Sequence, residues 1–147
     1  KEMKLNFEKD QISSVLLGKA KKADISKYGI AQIKKNSKLP GLGLVEKIIE
    51  KPSIKKSPSN LYAAGRYIFK NDFLKYLSKV KPDKSDEIQL TDAIEYYIKD
   101  GKKVNAFPLE GNIFDCGDNA EYILANLEFA MKDPVMKMKI KNYLKTR

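Results

Sequence analysis

Apolar residues in this chain come in two rhythms, and their interleaving restricts the fold more than any other feature. Short apolar runs bounded by polar residues or glycine read as strands: residues 13–18 (Ser-Ser-Val-Leu-Leu-Gly), 28–33 (Tyr-Gly-Ile-Ala-Gln-Ile), 44–51 and 61–69. Elsewhere apolar residues recur at helical spacing, as in Phe73, Leu74 and Leu77, and again in Ile88, Leu90, Ala93, Ile94, Tyr97 and Ile98. Strands interleaved with helices predict a mixed α/β chain, and no internal repeat or long linker interrupts it.

Punctuation residues sharpen the boundaries. Residues 2–9 carry Met3, Leu5 and Phe7 among charges and read as the end of a helix. Together with Lys1 in the place of an initiator Met, they lead to the expectation that something precedes this segment in the parent protein. Residues 19–27 read as a basic loop, 34–43 as a turn and 55–60 as a Pro/Ser/Lys loop. Gly41-Leu42-Gly43 belongs to that turn, and Pro52 ends the third strand. Gly65 interrupts the fourth strand, where exclusion of a side chain for close approach is expected. Asn71 is expected to cap a short helix reaching Lys79, and Asp86, three residues before Gln89, reads as a variant capping box for the next. Gly101 stops that helix, and residues 104–107 and 111–116 are short strand candidates. Asp118 or Asn119 caps a long helix, Pro134 breaks it, and residues 135–143 form a basic terminal helix with Met136, Met138, Ile140 and Leu144 nearby.

Composition then removes whole classes of chemistry. There is no His, so no Ser-His-Asp couple, no Cys-His couple and no imidazole metal site; chemistry must run on carboxylates, Lys, Arg, Tyr, hydroxyls or backbone. A lone Cys116 forms no internal disulfide and no Cys-rich zinc site, which fits a reducing compartment; a cytoplasmic location is expected. Cys116 is expected to be a small buried hydrophobe rather than a nucleophile. No apolar run approaches the roughly 18 residues of a membrane helix. The net charge of +10 reads either as attraction to nucleic acid or an anionic surface, or as a solvated lysine face. The only arginines are Arg66 and Arg147, whereas phosphate forks and base readout favour arginine, so the solvated face is the plainer reading.

Three constellations have chemical content. In Glu50-Lys51-Pro52 the carboxylate suits sugar hydroxyls and the ammonium suits a phosphate oxygen, although a surface ion pair has the same pattern. Strand neighbours point to opposite faces, so both reach one ligand only if the strand bends there. In Asp115-Cys116-Gly117-Asp118 a carboxylate before Gly can hold Mg²⁺, while the alternative is a turn in which Asp118 caps the following helix; both roles are compatible. Tyr28-Gly29 either opens the backbone to a ligand or makes a tight turn. Residues 87–92 (Glu-Ile-Gln-Leu-Thr-Asp) read as helix initiation rather than catalysis.

In order, Tyr28-Gly29-Ile30, Glu50-Lys51-Pro52, Pro58-Ser59-Asn60-Leu61, Gly65-Arg66-Tyr67-Ile68, Glu87-Ile88-Gln89-Leu90-Thr91-Asp92-Ala93, Asp115-Cys116-Gly117-Asp118 and Glu128-Phe129-Ala130 resemble the C-terminal half of the bacterial UTP:glucose-1-phosphate uridylyltransferase family across residues 13–133. That resemblance implies the C-terminal part of a Rossmann-like, open, mixed-sheet nucleotidyltransferase fold. It implies Mg²⁺ as cofactor and conversion of UTP and glucose 1-phosphate into UDP-glucose and pyrophosphate. By the same resemblance Gly29 is the glycine whose backbone contacts glucose, Glu50 accepts its hydroxyls, Lys51 binds the 1-phosphate, and Asp115 is one of two metal-binding aspartates. Lys51 and Asp115 are thus the expected catalytic pair. The family's Gly-x-Gly-Thr-Arg nucleotide loop has no counterpart here. Residues 1–133 are therefore expected to be the sugar-phosphate half, inactive without an N-terminal nucleotide-binding half, and residues 134–147 a terminal helix for homo-oligomer contact. The alternatives are a non-catalytic basic binding or oligomerisation fragment and half of a related enzyme using another NTP. Neither a membrane nor nucleic acid is an expected partner.

Overall fold

Five of the short apolar runs become strands of one mixed sheet: β1 (Ser13–Lys19), β2 (Ile30–Lys34), β3 (Gly43–Ile49), β4 (Leu61–Ile68) and β5 (Val104–Pro108). The computed structural model describes residues 1–36 and 38–146, so Ser37 of the expected turn and Arg147 of the expected terminal helix lie outside the described residues. The helices are α1 (Glu2–Asp10), α2 (Leu74–Leu77), α3 (Leu90–Lys99), α4 (Asn119–Ala130) and α5 (Pro134–Lys145). Two compact units result, Lys1–Leu109 and Glu110–Arg147.

In the first unit the strands run in the order β1-β4-β2-β3-β5, with β5 returning to pair with β1. The β1–β5 pair is parallel, with Ser13 opposite Val104 and Val15 opposite Ala106, while the other four pairs are antiparallel. The mixed sheet is as expected; its ladder closes on itself, where the resemblance implied an open one. Strand β1 is buried on both faces, which explains a continuous apolar run rather than an alternating one. Val15, Leu17, Val104 and Ala106 pack with Ala93, Ile94 and Tyr97 of α3, residues spaced to share one helix face. An aromatic cluster completes this core: Phe73 and Tyr76 meet the Tyr97 ring edge-on at 5.4 and 5.0 Å between centroids. The buried Tyr97 hydroxyl is satisfied by Ser13 Oγ at 3.2 Å and by Asp72 Oδ1 at 3.1 Å.

Several local expectations are corrected. Gly65 has nothing within 4 Å of where a Cβ would stand; its φ of +69° is what demands glycine, not a close approach. The glycines of Gly41-Leu42-Gly43 do meet backbone, since a Cβ would fall 2.4 Å from the Ala106 carbonyl oxygen and 2.2 Å from that of Lys34. Asn71 caps nothing: residues Asn71–Phe73 form a 3₁₀ turn leading into α2, and Leu74 points to solvent while Tyr76 takes the buried position. The segment before α3 is organised by Asp83 rather than Asp86. Asp83 accepts from the Ser85 and Glu87 amides and from Gln89 Nε2, and Asp86 adopts a φ of +61° with no capping bond.

In the second unit residues 111–116 form no strand, and Cys116 is exposed rather than buried. Asp118 caps α4 through Oδ1, which accepts the Ala120 and Glu121 amides at 2.9 and 3.0 Å. Asp133 caps α5 by accepting the Met136 amide at 2.8 Å, with Pro134 in the first turn where its missing N–H costs nothing.

Candidate functional site

Three segments distant in sequence converge where β2 begins and β3 ends. The Tyr28 carbonyl accepts the Lys51 amide at 3.1 Å, and the Gly29 carbonyl accepts the Ala63 amide at 2.9 Å. The Tyr28-Gly29 dipeptide is therefore clamped between the exit of β3 and the middle of β4. On the helix side, Glu95 Oε2 accepts the Ile48 amide at 3.1 Å, tying α3 to β3 two residues before Glu50.

The chain bends at Glu50 and Lys51. Strand β3 stops at Ile49, and Lys51 adopts a φ of +41°, an unfavourable value for a residue with a Cβ. Strain of about 1–3 kcal/mol of this kind persists only where the surroundings impose it, and it gathers at functional sites. Here the surroundings are the Tyr28 carbonyl on one side and buried Pro52 on the other. Glu50 is half-buried and Lys51 exposed.

Gly29 and Glu50 are joined by a residue that sequence reasoning passed over. Thr91, in the first turn of α3 and only 5% exposed, donates its hydroxyl to Glu50 Oε2 at 2.9 Å. A Cβ placed on Gly29 would stand 2.6 Å from Thr91 Cγ2 and 2.9 Å from Glu50 Oε2. Gly29 is thus a glycine because two side chains already fill the space a Cβ needs. The only signal for Thr91 lay within residues 87–92, which read as helix initiation.

The electrostatic surroundings are mixed. Tyr67 of β4 is held above the ordinary tyrosine range, first by burial and then by the Glu50 charge. Asp83 is held below the usual carboxylate range by hydrogen bonds from Gln89, Glu87 and Ser85, with the Lys51 charge adding to them. Tyr28 and Tyr62 stack beside Gly29 with centroids 4.7 Å apart.

Asp115 lies in the second unit and is exposed. Its Oδ1 accepts the Gly117 amide at 3.1 Å, and Oδ2 accepts no hydrogen bond among the described residues. Mg²⁺ is held by one or two carboxylates completed by phosphate oxygens and water, so Asp115 suits one position of such a set. Among the described residues no three His, Cys, Asp or Glu side chains gather to hold a metal. No helix among them is long and apolar enough to cross a membrane.

The family model for nucleotidyl transferases matches residues 2–132. A UTP--glucose-1-phosphate uridylyltransferase of Haemophilus ducreyi (strain 35000HP / ATCC 700724) is 36% identical over 127 residues, covering 86% of this chain and 43% of the relative. That of Haemophilus influenzae (strain ATCC 51907 / DSM 11121 / KW20 / Rd) is 34% identical over 141 residues, covering 95% and 47%. Among solved structures, a UDP-glucose pyrophosphorylase complexed with UDP-glucose superposes with a TM-score of 0.82 at 34% identity, covering 90% of this chain and 49% of that one. The chain spans about half the length of the curated relatives it matches.

Proposed function

The chain belongs to the nucleotidyl transferase family, and from that premise we propose that it is the sugar-phosphate half of a UTP:glucose-1-phosphate uridylyltransferase. The observation that carries the reading is the bend after β3 at Lys51, with the Glu50 carboxylate held beside Gly29 and the Lys51 amide bonded to the Tyr28 carbonyl. Glu50 accepts glucose hydroxyls, Lys51 neutralises the 1-phosphate, and the Gly29 backbone lies against the sugar. A phosphate oxygen of glucose 1-phosphate attacks the α-phosphorus of UTP in line. The bond from that phosphorus to the bridging oxygen breaks, releasing pyrophosphate and leaving UDP-glucose. No covalent enzyme intermediate is needed, so the protein's part is positioning and charge neutralisation, which suits a chain without histidine.

Asp115 is assigned as one ligand of Mg²⁺, whose role when bound is to neutralise phosphate charge. Residues 1–133 are assigned to the sugar-phosphate half, and α5 (Pro134–Lys145) is the terminal helix that follows it. The exposed Val135, Met136, Met138 and Leu144 of that helix support a homo-oligomer contact. The exposed free thiol of Cys116 fits a reducing, cytoplasmic setting. The nucleotide side is assigned to a segment outside these 147 residues, because nothing within them matches a Gly-x-Gly-Thr-Arg loop.

Pyrophosphate release tests the proposal. With UTP, glucose 1-phosphate and Mg²⁺, the chain alone is expected to release none. Addition of the N-terminal half of a related uridylyltransferase is expected to produce it, and to produce none when Lys51→Ala replaces the unaltered chain. Release by the chain alone, or release indifferent to Lys51, contradicts the proposal.

A further inference from the structure

We propose that Thr91 is a positioning residue for the sugar site, acting on substrate only through Glu50. The inference rests on the sugar-phosphate reading above and adds a residue to it. A half-buried glutamate at the end of a strand has three rotatable side-chain bonds, and a sugar hydroxyl is recognised only if the carboxylate is already in place. Three contacts set that place. The Thr91 hydroxyl donates to Oε2 at 2.9 Å, the missing side chain of Gly29 makes room for the same oxygen, and the Ile48 amide bonded to Glu95 anchors the strand just before it.

The consequence is a division of labour within one carboxylate. Oε2 is committed to α3, whereas Oε1 accepts no hydrogen bond among the described residues and is the oxygen left for a ligand. Thr91 is itself fixed, since it is buried and its methyl group lies over Gly29, so its hydroxyl has little freedom to turn elsewhere. A valine here keeps the shape and the methyl contact but removes the donor. A serine keeps the donor and loses the methyl.

Hydrogen bonds to charged groups are among the stronger ones, so loss of the donor is expected to weaken binding about tenfold. Glucose 1-phosphate is titrated into the full chain by ligand-observed NMR, using the unaltered protein, Thr91→Val, Thr91→Ser, Glu50→Ala and the double variant Thr91→Val/Glu50→Ala. Thr91→Val is expected to raise Kd about tenfold with no loss of the folded state, and Thr91→Ser to stay within about threefold of the unaltered chain. In the Glu50→Ala background, which has no side-chain oxygen for Thr91 to hold, Thr91→Val is expected to change Kd less than about twofold, because its effect passes through the carboxylate. An unchanged Kd in Thr91→Val, or the same loss with and without Glu50, overturns the inference while leaving the sugar-phosphate reading standing. Failure of the unaltered chain to bind glucose 1-phosphate overturns that reading, and this inference with it.

Discussion

At Lys51 the chain accepts a backbone geometry that a lysine disfavours, and keeps the ammonium there. Glycine adopts such a φ without the steric cost, so function and stability can be separated at this one position. Lys51→Gly is expected to melt no lower than the unaltered chain, whereas Lys51→Ala retains the strain; both are expected to lose glucose 1-phosphate affinity at least about tenfold. Thermal unfolding beside a binding titration checks this, and a clear drop in Tm for Lys51→Gly would mean that the lysine side chain itself supports the fold. Gly29→Ala tests the opposite case. A Cβ 2.6 Å from Thr91 Cγ2 must push Thr91 and Glu50 aside, with an expected cost of about 1–3 kcal/mol in denaturant unfolding, together with weaker sugar-phosphate binding. Gly29, Glu50 and Lys51 were singled out in the sequence through the resemblance that their motifs carry, and the Glu50 carboxylate does lie beside Gly29. Thr91 was not legible, because its contact with Glu50 crosses 41 positions and its segment has the local pattern of a helix start.

Individual elements were legible where one local rule acted without competition. Strand β1 follows from an uninterrupted apolar run, and α4 follows from Asp118. Residues 111–116 have strand-like composition but gain no ladder partner, and Asp86 loses its expected role because Asp83 gathers the amides of the same turn. The pairing of α2 with the end of α3 depends on side chains that no local pattern links: the buried Tyr76 donates its hydroxyl to Asp100. That bond, aided by burial and by the negative charge of Asp100, pushes the Tyr76 phenol up to about 12. The group binds its proton more tightly folded than unfolded, so its stabilising contribution is complete below about pH 10 and is lost as pH rises toward 12. Unfolding measured across pH 9–12 is expected to show this decline, and Tyr76→Phe is expected to flatten it. An identical alkaline decline in Tyr76→Phe would assign the effect to another group.

Over the whole chain, the mixed α/β class was legible from the interleaving of strand and helix rhythms, but closure of the sheet was not. Closure depends on β5 lying parallel to β1, a pairing between residues 13–17 and 104–108 that neither segment encodes alone. As proposed, this chain binds the sugar phosphate and relies on another segment for the nucleotide, in keeping with its span of about half of its relatives and its lack of a Gly-x-Gly-Thr-Arg loop. The most direct measurement is a pair of titrations of the unaltered chain, one with glucose 1-phosphate and one with UTP, each in the presence of Mg²⁺. Saturable binding of glucose 1-phosphate that is lost in Lys51→Ala is expected, with no saturable binding of UTP. Saturable binding of UTP without glucose 1-phosphate would contradict the proposal.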